Sequence, residues 1–165
     1  LSRINFGLEK YIYMGNLDSK RDWGHAKDYV LMQWLMLQQE KPEDFVIASG
    51  QMMSVREFIE LCAIELGWNK EKRGKGIIWE KSGLEEIGKR SDTGDVVVKI
   101  DPRYFRPTEV EQLLGDASKA RKKLNWKASM SLEELIAEMI KGDLNEARKE
   151  YLLKSKGFSI YEPKE

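Results

Sequence analysis

Two arginines occupy settings that restrict the chain around them. Arg21 follows the turn Asp18-Ser-Lys and precedes Asp22-Trp23, while Arg106 lies between Phe105 and Pro107, with Pro102 upstream. Proline fixes φ and stiffens its neighbourhood. An arginine held in this way loses less entropy on gripping a phosphate, and its planar fork matches phosphate oxygens bidentately. Two such arginines from separate segments could clamp a diphosphate. The same residues also fit ion pairs at the surface or core edge, Arg21 with Asp22 and Arg106 with Glu109. Spacing alone leaves both readings open.

Most other chemistry is removed by count. His25 is the only histidine and Cys62 the only cysteine among 165 residues. A disulfide framework, a multi-cysteine zinc site and a Ser–His–Asp arrangement therefore find no support. No glycine-rich dinucleotide fingerprint follows a strand, and no Tyr-x-x-x-Lys occurs. The basic stretch 70–75 lacks the Gly-x-x-x-x-Gly-Lys-Ser/Thr pattern and reads as a solvated loop. The 28 basic and 28 acidic residues cancel, so no overall field draws nucleic acid or an anionic membrane. No apolar run is long enough to span a bilayer. The cysteine usage suits a reducing, cytoplasmic setting.

The elements that must position the arginines follow from punctuation and periodicity. At 41% apolar and 34% charged residues, a chain of this length can bury about two-thirds of its unfolded surface in one core. Residues 1–7 read as the last turns of a helix, so the chain is expected to be part of a longer one. A short strand is expected within 9–14, and a helix over 26–39, apolar almost all round and so buried on most sides. Residues 45–48 read as an apolar strand. Ser54-Val-Arg-Glu57 is a capping box opening a helix that places Val55, Phe58, Ile59, Cys62 and Leu66 on one face. On that face Cys62 is a packing residue. Strands are expected at 77–80 and 95–100, joined by a long surface loop over 81–94. Asp116 or Ser118 caps a short helix ending at Leu124. Ser131 and Glu134 form a second capping box, before a helix with Leu132, Leu135, Ile136, Met139, Ile140 and Leu144 at helical spacing. The fold class is α/β of mixed α+β character, with one domain over 1–150 and a tail over 151–165.

Longer strings narrow the reading. Gly15-Asn-Leu-Asp-Ser-Lys-Arg-Asp-Trp-Gly-His-Ala-Lys-Asp-Tyr-Val30, Pro42-Glu-Asp-Phe-Val-Ile-Ala48, Ser54-Val-Arg-Glu-Phe58, Tyr104-Phe-Arg-Pro-Thr-Glu-Val110, Gly115-Asp116 and Leu124-Asn-Trp-Lys127 together resemble the C-terminal part of the GDP-mannose 4,6-dehydratase family. That family belongs to the extended short-chain dehydrogenases acting on nucleotide sugars. The Arg-Asp-aromatic piece is shared by many epimerases and dehydratases, whereas the longer strings are more specific.

The resemblance implies an N-terminal Rossmann domain, not in this chain, that binds NADP, and a C-terminal portion, this one, that binds GDP-mannose or another GDP-sugar. It implies that Arg21 reaches the diphosphate, that Arg106 lies near diphosphate and ribose, and that Glu109 lies near the ribose hydroxyls. Asn16 is a further substrate-binding candidate, and His25 takes a structural role at a helix start. The implied reaction is a lyase reaction of GDP-fucose biosynthesis. Hydride leaves C4 of the mannose for NADP, water is lost across C5–C6, and hydride returns to C6, giving GDP-4-keto-6-deoxymannose. The threonine, glutamate, tyrosine and lysine that move protons have no matching positions here, so the chain alone is expected to be inactive. Family members resemble dimers or tetramers. Two alternatives remain at this point: another nucleotide-sugar epimerase or reductase, and a free-standing, non-catalytic nucleotide-binding or interaction module.

Overall fold

The computed structural model describes residues 1–69, 74–106, 108 and 112–159. Expectations for Glu109 and for residues 70–73 of the basic stretch lie outside the described residues. The helices are α1 (Ser2–Asn5), α2 (Ala26–Leu37), α3 (Val55–Glu65), α4 (Ser118–Leu124) and α5 (Leu132–Ser155). The strands are β1 (Ile12–Met14), β2 (Lys20–Asp22), β3 (Met52–Ser54), β4 (Ile77–Glu80), β5 (Ile87–Arg90), β6 (Val96–Ile100) and β7 (Gln112–Leu113). The architecture is mixed α/β, as expected.

Two sheets result. The larger runs β1-β6-β5-β4, with β1 parallel to β6 and the other pairs antiparallel. The smaller runs β3-β2-β7, with β2 antiparallel to β3 and parallel to β7. Strand β6 is the backbone of the core. Val97 and Val98 are both buried, and successive strand residues face opposite sides, so this strand is covered on both faces. Ile59 and Ala63 of α3 pack into the same cluster with Ile77 and Trp68. The Trp68 indole is fully buried, donates to Asn5 Oδ1 at 2.8 Å and lies under the Arg90 guanidinium.

Both capping boxes form. Ser54 and Ser131 each accept from the N–H three residues on, and Glu57 and Glu134 return the bond. Cys62 is buried against Ile136 and Ile140 of α5, and burial pushes its thiol up to about 11, which fits packing rather than reactivity. At α4, Asp116 accepts from the Ser118 N–H at 2.8 Å while Ala117 holds the cap position.

Four expectations need correction. Helix α2 is not buried on most sides: Val30, Leu31, Trp34 and Leu37 are exposed, and only Asp28 and Met32 are buried. Its one covered face meets Ala48, Ala117, Ala120 and Trp126 through Met32, and no other described element covers the rest. Residues 45–48 form no ladder with a described strand. Phe45, Ile47 and Ala48 pack on the Met32 cluster instead, because an apolar run becomes a strand only beside a partner. The 81–94 stretch contains strand β5 rather than only loop. Gly88 in this strand sits opposite Trp79, where a Cβ would come within 2.8 Å of the indole. Finally, α5 passes residue 150, where a tail was expected to begin. Its extension is held by the Glu150–Arg3 ion pair and by Tyr151 against Phe6.

The buried face of α2 carries a polar anchor. The Asp28 carboxylate accepts from Ser129 Oγ at 2.7 Å and from the N–H groups of Ser129 and Met130, at 3.0 and 3.2 Å. Burial pushes this carboxyl up, but the Ser129 hydroxyl, the two N–H groups and His25 outweigh it, leaving its pKa below the ordinary aspartate value. Replacing Asp28 by alanine strands these donors and is expected to cost about 3 kcal/mol in denaturant unfolding. A carboxylate depressed on folding gives stability that is present above its unfolded pKa and lost as pH falls through the folded one. The stability gap between wild type and Asp28→Asn should therefore narrow as the solution is acidified below the aspartate range. A gap constant with pH would contradict this assignment.

Candidate functional site

The β1–β6 pairing builds one wall of the site. The ladder ends with Met14 opposite Ile100, and Asp101 N then donates to Met14 O at 2.9 Å. Both chains leave the sheet side by side, β1 into Gly15-Asn16 and β6 into the turn 101–106. Gly15 is needed here because a Cβ at this position would lie 2.2 Å from the Tyr104 carbonyl oxygen. Asp101 shapes the turn. Its carboxylate accepts from Arg103 N at 2.8 Å and from Arg103 Nη2 at 2.7 Å. These bonds hold the Asp101 carboxyl below the usual range.

The small sheet builds the opposite wall. Arg21 is in its central strand, across from Met53 and Leu113. Neighbouring strand residues project to opposite faces, and Arg21 and Asp22 diverge accordingly. Asp22 accepts from the N–H groups of Ser49 and Gly50, each at 2.8 Å. Arg21 lines the site and donates through Nη1 to the Lys20 carbonyl at 2.8 Å. Trp23 stacks on Phe58 with centroids 4.3 Å apart and donates to Met53 O, which locks the end of β2 onto α3.

Between these walls lies a cavity of about 290 Å³. Arg21, Arg103 and Arg106 all line it, together with Asn16 and Tyr104, and among the described residues no carboxylate is in the lining. A concentration of guanidinium groups favours an anion. The volume is at the small end for ligand sites, suited to part of a nucleotide rather than a whole sugar nucleotide. A larger groove of about 910 Å³ lies along α5 beside Phe6 and Lys27. It carries both signs of charge, with His25 and Lys27 each 3.6 Å from Glu138, and so lacks that bias.

The expected site residues are thus partly assembled. Arg21, Arg106 and Asn16 line one cavity, and Glu109 is outside the described residues. The Asn16 amide spans Arg106: Nδ2 donates to Arg106 O at 3.0 Å and Oδ1 accepts from Arg106 N at 2.8 Å. His25 caps α2, its Nδ1 accepting from Lys27 N at 3.0 Å. Sequence reasoning missed Arg103 and Tyr104. Their signal was the Asp101-Pro-Arg103 spacing, in which an aspartate bonds the backbone two residues on. Arg56 is a structural contrast, bound by Asp18 and Glu86 and set over Trp79.

A family model described as GDP-mannose 4,6 dehydratase matches residues 1–139. A relative from Yersinia enterocolitica, named GDP-mannose 4,6-dehydratase, is 53% identical over 163 residues, covering 97% of this chain. A human relative of the same name is 48% identical over 144 residues, covering 87% of this chain. The chain spans only 44% and 37% of their respective lengths. Among solved structures, RMD from Pseudomonas aeruginosa complexed with NADPH matches with a TM-score of 0.64 at 16% identity, over 88% of this chain and 40% of that one. UDP-glucose 4-epimerase from Thermotoga maritima with UDP-glucose matches at 0.59 and 21% identity, over 92% of this chain and 38% of that one. At such identities the likeness is one of fold.

Proposed function

This chain belongs to the GDP-mannose 4,6-dehydratase family, and on that premise we propose that it is the substrate-gripping portion of an NADP-dependent dehydratase acting on GDP-mannose. The observation that supports the reading is the convergence of Arg21 and Arg106 on one cavity. In this reading the two guanidinium groups hold the diphosphate from opposite walls. Arg103, tied to Asp101, adds a partly neutralised donor at the rim, and Glu109 takes the ribose hydroxyls.

In this reading NADP and the proton-moving groups belong to the portion of the family this chain does not cover. No step of the reaction is assigned to residues of this chain. Its work is to bind and orient, which converts an encounter into a held geometry. The complete protein is proposed to be a cytoplasmic lyase working as a dimer or tetramer. No helix among the described residues is long and apolar enough to cross a membrane.

The test is product identity. The complete protein supplied with NADP and GDP-mannose is expected to yield a nucleotide sugar lighter by one water, bearing a 4-keto and a 6-methyl group. Turnover of UDP-glucose in place of GDP-mannose would favour an epimerase, and absence of any sugar-nucleotide turnover would sink the enzyme reading.

A further inference from the structure

We infer that Asn16 is a positioning residue whose side chain continues the β1–β6 ladder and thereby sets Arg106 in the cavity wall, an inference that rests on the nucleotide-sugar reading above. The backbone ladder between the two segments stops at Met14 and Ile100, with one further bond from Asp101 N to Met14 O. Beyond it the 101–106 turn swings out, and Arg106 lies in no helix or strand. The Asn16 amide then meets Arg106 as a neighbouring strand would, donating to its carbonyl at 3.0 Å and accepting from its N–H at 2.8 Å. These bonds join positions 90 residues apart in sequence.

Gly15 brings the two chains close enough for this, since any side chain there would collide with Tyr104 O. The Asn16 acceptor and one amide N–H are committed to the Arg106 main chain, so the side chain acts chiefly through Arg106 and not as a ligand of the nucleotide. Fixing the main chain of an exposed arginine before the ligand arrives removes part of the ordering cost of binding. An alanine at position 16 loses both bonds at once and frees that turn.

The experiment is a double-mutant cycle on the complete protein, read by calorimetric titration with GDP and by steady-state kinetics with GDP-mannose. Asn16→Ala is expected to weaken GDP binding about tenfold, the loss of two neutral hydrogen bonds. It should raise KM far more than it lowers kcat, because a diphosphate grip serves ground and transition states alike. In an Arg106→Ala background the same change is expected to cost less than about twofold, since the group being positioned is gone. NADP affinity should stay unchanged throughout, which a general loss of structure would not allow.

An equal loss in both backgrounds would show that Asn16 touches the nucleotide and would overturn the positioning role. So would a fall in NADP affinity matching the fall in GDP affinity. Unchanged GDP affinity in Asn16→Ala, with Arg21→Ala and Arg106→Ala both weakened, overturns the positioning role and leaves the site standing. Unchanged affinity in both arginine variants overturns the site itself, and this inference with it.

Discussion

Replacing either Arg21 or Arg106 by alanine is expected to weaken GDP binding to the complete protein by about 2–3 kcal/mol, roughly 30- to 150-fold. Both side chains line the same cavity. Arg21 is half-buried in the central strand of the small sheet, whereas Arg106 is exposed on its turn. A charge-assisted bond is worth more where water is excluded, so Arg21→Ala should fall at the upper end of the range and Arg106→Ala at the lower. Lysine at either position keeps the charge but loses the fork, and should recover only part of the affinity. Because both arginines grip one diphosphate, the double variant should depart from simple additivity. Isothermal titration across the set would decide. Wild-type affinity in both single variants would refute the clamp.

Residues 1–165 alone are expected to show no dehydratase turnover. The chemistry needs a hydride carrier and groups that move protons at the reacting carbons. The sequence carries neither the glycine-rich fingerprint nor a Tyr-x-x-x-Lys, and its single histidine is occupied in capping α2. Two surfaces also look unfinished. Trp34 and Leu37 of α2 are 56% and 82% exposed, with Val30 and Leu31 beside them, an apolar patch unusual for a free domain. Residues 45–48 are apolar yet lack a ladder partner among the described strands. Both surfaces fit contact with the rest of a longer family member. The chain alone should therefore bind a hydrophobic dye more strongly than the complete protein does. NADP-dependent conversion of GDP-mannose by these residues alone would overturn the division of labour proposed here.

What the sequence made legible was mostly local. Ser54 with Glu57 and Ser131 with Glu134 announce helix starts because a cap needs only four consecutive residues. Val97 and Val98 announce a buried strand because β-branched runs suit a strand covered on both faces. Arg21 and Arg106 stood out through their stiff neighbours, but their convergence depends on the parallel pairing of β1 with β6 and of β2 with β7, which no local pattern encodes. Other misreadings share that cause. The 81–94 stretch reads as loop until Trp79 is placed across from Gly88. The apolar circumference of α2 reads as burial, yet only the Met32 face has a partner within the described chain. Asn16 entered as a substrate-binding candidate through the family resemblance. Its bonds to Arg106 became visible only once the two segments were placed together.

The central claim is that Arg21 and Arg106 grip a diphosphate, and titrating the complete protein with GDP and with guanosine tests it most directly. Wild type is predicted to prefer GDP over guanosine strongly, and the Arg21→Ala/Arg106→Ala double variant to lose nearly all of that preference while binding NADP as before. A double variant that still distinguishes GDP from guanosine as wild type does would contradict the account.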